Sequence, residues 1–265
     1  MTTAVEPVAA RLRAAGCVFA EDEAAVLLDA ASGDPELEEM LVRREAGEPL
    51  EVIVGWAEFR GRRVIVAPGV FVPRRRSELL VTSAVGLATP GVVIVELCCG
   101  VAAVASALAV ELPHAEVYAS DVDPVEVAVA RRNLPPVDGA DRVFEGDLYD
   151  ALPAGLRGRV GILIANAPYV PTEEIATMPP EARDHEPRVA LDGGPDGLDV
   201  QRRIADGARE WLSSGGSLLV ETSVRQAPST ADAMRAGGLE PRIVHDDDLD
   251  ATVVVGTAVV GSAAG

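Results

Sequence analysis

Residues 91–102 read GVVIVELCCGVA. The apolar, β-branched run 91–97 predicts a strand buried on both faces and ending in an acid, Glu96. Gly100 and the small residues around it predict a tight turn into a helix over 101–112. The same alternation recurs outward from this point. AEVYASD (115–121) predicts a second strand, Pro124 to Asn133 a helix, RVFEGD (142–147) a third strand and VGILIAN (160–166) a fourth. A Pro-rich insert over 167–198 precedes a helix over 199–213 and a fifth strand, GSLLVET (216–222). LEPRIV (239–244) and ATVVVGTAVV (251–260) predict a closing antiparallel pair. Apolar strands alternating with helices predict an α/β chain with a parallel, doubly wound sheet and ligands at the strand carboxyl ends.

The N-terminal part has a different period. Over 4–48 the apolar residues Val5, Val8, Ala9 and Leu12, then Leu27, Leu28, Leu37, Met40 and Leu41, recur at helical spacing, with Asp34 as an N-cap and Pro35 at the first helical position. Over 51–72, Val52, Val54, Val64 and Val66 alternate about a turn at Arg60-Gly61, which predicts a β-hairpin. Helix resumes from Arg76 to Leu87. The expected organisation is a helical domain (1–50), a linking hairpin (51–75) and a larger α/β domain (76–265).

Composition removes several function classes. The formal charge is −19, and all 23 basic residues are arginine. Without lysine there is no Schiff base and no P-loop. The acidic balance argues against direct binding of nucleic acid. Cys17, Cys98 and Cys99 make no disulfide framework, which fits a reducing cytoplasm. His114, His185 and His245 are too scattered for a His-based metal site, so no metal is expected. Neither a signal peptide nor a membrane-length apolar run is expected.

The strand ends carry the chemistry. Glu96 to Ala102 form a strand–turn–helix start where backbone N–H groups can meet a ligand. Asp121, twenty-five positions after Glu96, ends the second strand, where a carboxylate accepts hydrogen bonds from ribose hydroxyls. Asp147 ends the third strand, in reach of a nucleobase edge. Each acid alone reads equally well as a solvated cap; the three together describe a nucleoside-cofactor site. The chain has two asparagines, Asn133 and Asn166. Asn166 ends the fourth strand and precedes Ala167-Pro168-Tyr169. Its side-chain oxygen, and a carbonyl at Ala167 held extended by the following proline, can both accept from a planar –NH₂. Tyr169 offers a flat surface beside it. The plainer alternative is a turn with Asn as the turn residue.

At these residues a family resemblance appears. EPLEVIVGWAEFRGRRVIVAPGVFVPRRRSELLV (48–81), NAPYVP (166–171) and HEPRVALDGGPDGLDVQRRI (185–204) resemble the HemK-type protein-(glutamine-N5) methyltransferases. The resemblance is collinear from about residue 40 to the C-terminus. It implies a Rossmann-like class I methyltransferase sheet of seven strands behind an N-terminal helical domain and hairpin. It implies S-adenosyl-L-methionine (SAM) as cofactor, and as substrate the glutamine of the GGQ motif in class 1 peptide-chain release factors. By the same resemblance Glu96, Cys98, Cys99, Gly100, Val101 and Ala102 form the SAM loop, Asp121 holds the ribose, and Leu148, next to Asp147, neighbours the adenine. Asn166, Ala167, Pro168 and Tyr169 form the glutamine-amide site, with Asn166 also beside the cofactor.

Two positions depart from the family pattern. Its D-L-G-T-G-x-G is here E-L-C-C-G-V-A, so that Cys98 and Ala102 stand where the family has glycine, and N-P-P-Y has become N-A-P-Y. A SAM enzyme acting on a small-molecule or peptide amine, and a binding protein with a degraded loop, therefore stand as alternatives. Arg74-Arg75-Arg76 reads as a partner contact or as a solvated run. His185 reads as a structural hydrogen-bonding residue or a general base. Trp56 and Trp211 read as packing residues, Asp246-Asp247-Asp248 as a solvated turn, and the Cys98-Cys99 pair, beside a helix N-terminus, as thiols open to a lowered pKa.

Overall fold

The computed structural model describes residues 2–258. Four helices open the chain: α1 (Thr2–Ala14), α2 (Ala20–Ala30), α3 (Asp34–Glu45) and α4 (Leu50–Val54). They bury a core of their own that includes Leu12, Leu27, Leu41 and Ile53. Gly33 is the N-cap of α3 and Asp34 its first residue, one position from the expected cap.

The hairpin is shorter than its valine alternation suggested. Val52 and Val54 lie in α4, and the strands are β1 (Trp56–Phe59) and β2 (Arg62–Ile65). Pro49 presets the backbone ahead of α4, and Gly55, at φ 79°, closes it in the left-handed conformation typical of a helix end. A run of alternating valines thus served a helical turn, because period alone does not separate two apolar positions on a strand from two on a short helix. The turn itself is as expected, with Arg60 and Gly61 both at positive φ.

The remaining elements are α5 (Glu78–Leu87), β3 (Val93–Leu97), α6 (Ala103–Glu111), β4 (Glu116–Asp121), α7 (Pro124–Asn133), β5 (Val143–Glu145), β6 (Val160–Ala165), α8 (Pro180–His185), α9 (Asp199–Trp211), β7 (Leu212–Thr222), α10 (Ala227–Ala236), β8 (Leu239–Asp246) and β9 (Ala251–Ala258). The predicted last strand extends to residue 260, and its end lies outside the described residues. The seven strands are ordered β5-β4-β3-β6-β7-β9-β8, parallel except for β9. Their side chains divide by the two-residue period. Ile94, Ile162 and Ile164 enter the core on one face. Val93, Val95, Leu97, Leu163 and Ala165 enter the core on the other. A strand buried on both faces has no polar alternation, which is why 91–97 reads as a continuous apolar run.

Register brings the chemistry to one edge. Leu97 pairs with Ser120 and with Ala165, Asp121 with Glu145, and Ala165 with Val220. The residues just beyond these pairs leave the sheet side by side. The strand order reverses between β3 and β6, so the loops after those two strands flank the switch point where such sheets bind ligands.

Candidate active site

A cavity of about 480 Å³ opens along this edge, lined in part by Phe71, Cys98, Gly100, Asp121, Asp147 and Asn166. That volume is in the range of small-molecule sites. Glu96, Cys99, Val101, Leu148, Ala167, Pro168 and Tyr169 also line it. Of the residues expected from the sequence, Ala102 alone is absent from the lining; it is fully buried.

The loop after β3 is held from both sides. Glu96 is buried and accepts the Ala105 N–H at 2.8 Å, tying the end of β3 to the first turn of α6. Burial pushes its carboxyl up to about 8. Asp121 accepts the Gly100 N–H at 2.8 Å through one oxygen and the Asp123 N–H at 3.0 Å through the other. Its carboxylate is thereby fixed in orientation, with lone pairs left over for a ligand. Asn133 takes both backbone groups of Ile65, each at 2.9 Å, and donates to the Val101 carbonyl at 2.9 Å. The other asparagine of the chain thus fastens the hairpin to the cofactor loop, a role its sequence position did not reveal.

Three positions of this loop have left-handed backbone: Cys98 (φ 51°), Gly100 (φ 53°) and Ala102 (φ 59°). Cys98 and Ala102 are the two departures noted in the sequence. A side chain at such a φ costs roughly 1–2 kcal/mol. Burial and the neighbouring carboxylates Asp121 and Glu96 push both the Cys98 and the Cys99 thiols well up. The direction is opposite to the lowering that a helix N-terminus would give, and burial is its main cause.

Leu148, at φ 49°, follows Asp147, whose carboxylate is bound by Arg203 at 2.7 Å. Glu126, the third residue of α7, forms a Asp-x-x-Glu spacing with the N-cap Asp123 but does not reach back to cap it. It accepts the Phe71 N–H at 2.5 Å, and its second oxygen is buried without a partner beside Gly100. Burial, with Asp121, Asp123 and Glu186 nearby, pushes it up to about 8.

The corner after β6 is built against the insert. The Val170 N–H donates to the Leu191 carbonyl at 3.0 Å, Gly193 N–H to Val170 at 2.9 Å and Thr172 N–H to Gly194 at 2.9 Å. A Cβ on Gly193 would lie 2.7 Å from the Pro168 carbonyl oxygen, and one on Gly197 2.3 Å from that of Tyr169. Those glycines let the 191–197 segment lie flat on the 168–172 backbone. Gln226 adds a hydrogen bond to the Tyr169 carbonyl at 2.9 Å. The insert is thus not a loose loop: besides α8 it forms short helical turns at 175–177 and 188–190.

Asn166 donates through Nδ2 to the Ser77 hydroxyl at 3.2 Å. Arg74 pairs with the buried Glu186, and Arg76 with the buried Glu221 at 3.2 Å, while Arg75 is exposed. Two of the three arginines thus hold buried carboxylates, while Arg75 and Arg76 keep exposed surface, so the run is not wholly solvated. His185 is exposed at the end of α8 and does not line the cavity. Trp211 is buried and stacks on Tyr149 at 5.7 Å. Trp56 is half-buried, with the Arg63 guanidinium 4.0 Å from its ring centre. The aspartates at the end of β8 form the expected turn, where the Asp246 carboxylate accepts the Asp248 and Leu249 N–H groups.

The sheet order is that of the Rossmann-like class I methyltransferases, for which the methyl donor is SAM. The residues present fit that cofactor: Asp121 is oriented by the loop it faces, and Gly100 has only the Glu126 carboxylate within 4 Å of where a side chain would begin. A family model described as Methyltransferase small domain matches residues 62–179. The chain is 35% identical to the release factor glutamine methyltransferase of Mycolicibacterium smegmatis over 94% of both chains. It is 39% identical to that of Geobacter sulfurreducens over 71% of this chain and 65% of that one. A methyltransferase from Pyrococcus furiosus shares the fold, with a TM-score of 0.57 and 14% identity over 84% of this chain and 98% of that one. The chain belongs to the release factor glutamine methyltransferase family. Among the described residues, no helix is long and apolar enough to cross a membrane.

Proposed function

We propose that this protein methylates the side-chain amide nitrogen of the GGQ glutamine in a class 1 peptide-chain release factor. One observation carries the reading: the Asn166-Ala167-Pro168-Tyr169 corner and the Asp121–Gly100 cradle line one cavity. In this reading the 96–102 loop and Asp121 hold the amino-acid and ribose parts of SAM, and Asp147 and Leu148 its adenine. When bound, SAM supplies a methyl group already activated on a sulfonium sulfur. The chain's own contribution is positioning, worth up to roughly 7–11 kcal/mol in ideal cases. The Asn166 side-chain oxygen and the Ala167 carbonyl accept from the acceptor –NH₂ and favour its pyramidal, more basic form. Tyr169 packs against the glutamine side chain. Burial pushes its phenol up to about 12, so it stays protonated and serves as a surface, not as a base.

The charge of −19 supports a protein substrate over nucleic acid, and the reduced cysteines support a cytoplasmic setting. The separate core of the first four helices supports a helical N-terminal domain that runs through α4 to Val54, a few residues past the expected boundary at 50, ahead of the hairpin and the α/β domain. The test is transfer of an isotope-labelled methyl group from SAM to purified release factor. Label on the GGQ glutamine is expected, and none when that glutamine is replaced. Label appearing only on small-molecule amines would reject the protein substrate.

A further inference from the structure

Tyr169 ends the acceptor corner, and its carbonyl is gripped by a side chain from a distant part of the chain. Gln226, in the turn between β7 and α10, donates through Nε2 to the Tyr169 carbonyl at 2.9 Å and to the Asp196 carbonyl at 3.1 Å. Carbonyl oxygens only accept, so the pair places the amide nitrogen, not its oxygen, at the corner. The amide oxygen is turned the other way and accepts the Ser223 hydroxyl at 2.7 Å, while the Ser223 oxygen accepts the Gln226 backbone N–H at 3.2 Å. The direction of each bond is thereby fixed. Gln226 is also the N-cap residue of α10, yet its side chain makes no capping bond. Short side chains such as Ser, Thr, Asp and Asn suit that position. The longer amide reaches past the helix end to the corner instead. A Cβ on Gly197 would lie 2.4 Å from Gln226 Nε2, so the glycine leaves the amide its path. Gln226 is 7% exposed, so these bonds are made away from bulk water.

We propose that Gln226 is a positioning residue for methyl transfer: its amide ties the Tyr169 carbonyl to the insert at Asp196, and so sets where the Asn166-to-Tyr169 corner meets the methyl acceptor. The inference rests on the assignment of that corner to the acceptor amide. The backbone bonds from the insert begin at Val170, and Gln226 acts one residue closer to Asn166, on the residue that carries the aromatic surface. Transfer needs the reacting atoms aligned, and a misplacement of about 1 Å can cost roughly a hundredfold in rate. Gln226 touches no substrate in this account. It acts through the backbone it holds.

The test uses the full chain with purified release factor, and reads kcat, KM, melting temperature and the dissociation constant for S-adenosylhomocysteine, with kcat taken well below the melting temperature. Gln226→Asn is one methylene too short to reach the corner but is a good N-cap for α10. It is expected to lower kcat about tenfold or more while KM and S-adenosylhomocysteine binding hold. Gln226→Met keeps the length and cannot donate. It should lose kcat to a similar degree, with a larger fall in melting temperature than Gln226→Asn. The chain has three tyrosines, so fluorotyrosine labelling reads the corner without activity. The Tyr169 fluorine resonance, assigned by its loss in Tyr169→Phe, should shift or broaden in Gln226→Asn, while that of Tyr118 on β4 holds. Full kcat in Gln226→Asn, or an unmoved Tyr169 resonance, would overturn the proposal while leaving the methyltransferase reading intact. A wild type that binds S-adenosylhomocysteine but transfers no methyl to the release factor would overturn that reading, and this inference with it.

Discussion

The loop after β3 and the corner after β6 face each other across one cavity, yet they use left-handed backbone in opposite ways. In the corner's buttress the left-handed positions Gly194 and Gly197 remain glycine, and an added Cβ would meet Asp199 at 2.1 Å or the Tyr169 carbonyl at 2.3 Å. In the cofactor loop two of the three left-handed positions carry side chains, Cys98 and Ala102. The difference is steric. At Gly197 the corner is closed by backbone, which cannot move aside, and at Gly194 by the Asp199 side chain, whereas Gly100 in the loop has only one carboxylate nearby, at 3.6 Å. Substitution in the loop therefore costs dihedral strain; substitution in the corner costs strain and collision. The two loop departures also differ from each other, because Cys98 lines the cavity and Ala102 points into protein.

The largest effect should come from Gly197→Ala. Overpacking together with strain is expected to lower stability by about 3 kcal/mol and to displace Tyr169. Urea unfolding checks it, and an unchanged midpoint would mean the corner has slack the geometry denies. Asn166→Ala should lower kcat about a hundredfold, in the way loss of a transition-state hydrogen bond does. S-adenosylhomocysteine binding should change little. A variant keeping more than about a tenth of wild-type activity would remove the corner from the chemistry.

On the other side of the cavity, Asp121→Ala should weaken S-adenosylhomocysteine binding by about 1.5–3 kcal/mol, since its charge-assisted hydrogen bonds are lost. An unchanged dissociation constant would place the ribose elsewhere. Glu126 tests the electrostatics behind the loop. Its carboxyl is pushed from 4.5 to about 8 in the folded chain, so the folded state holds a proton that the unfolded state gives up. Its contribution to stability is complete below about pH 4.5 and is lost as pH rises through about 8. Glu126→Gln should flatten the fall in stability over that window, by on the order of 1–2 kcal/mol at its alkaline end. Thermal melts across pH measure it, and parallel curves for variant and wild type would contradict it.

The fold was legible because its decisive strands are buried on both faces and its helices are short and regularly spaced. Asp121 and Asn166 stood out because they stand at the ends of predicted strands. What escaped notice depends on contacts across long stretches of chain. Ser77 and Glu186 look like ordinary polar residues until they meet Asn166 and Arg74 in space. Glu126 mimics a capping residue by spacing and is turned away from the cap by the Phe71 N–H. Val52 and Val54 misled because two alternating valines also fit one turn of helix. The 185–204 stretch was conspicuous as a motif, but its physical purpose, packing glycine backbone against the 168–172 backbone, needed three dimensions.

The central claim is that the cofactor loop works in spite of its two side chains at left-handed positions. Calorimetric titration of S-adenosylhomocysteine into wild type, Cys98→Gly and Ala102→Gly tests it most directly. The account predicts one saturable site in the wild type and tighter binding in Cys98→Gly, by up to about tenfold, where a side chain leaves the cavity. In Ala102→Gly affinity should hold, and stability should shift by no more than about 1 kcal/mol, because relieved strain offsets a lost buried methyl. A folded wild type that gives no binding heat and no competition, unrescued by glycine at position 98, would contradict the account and leave a protein whose cofactor loop no longer binds SAM.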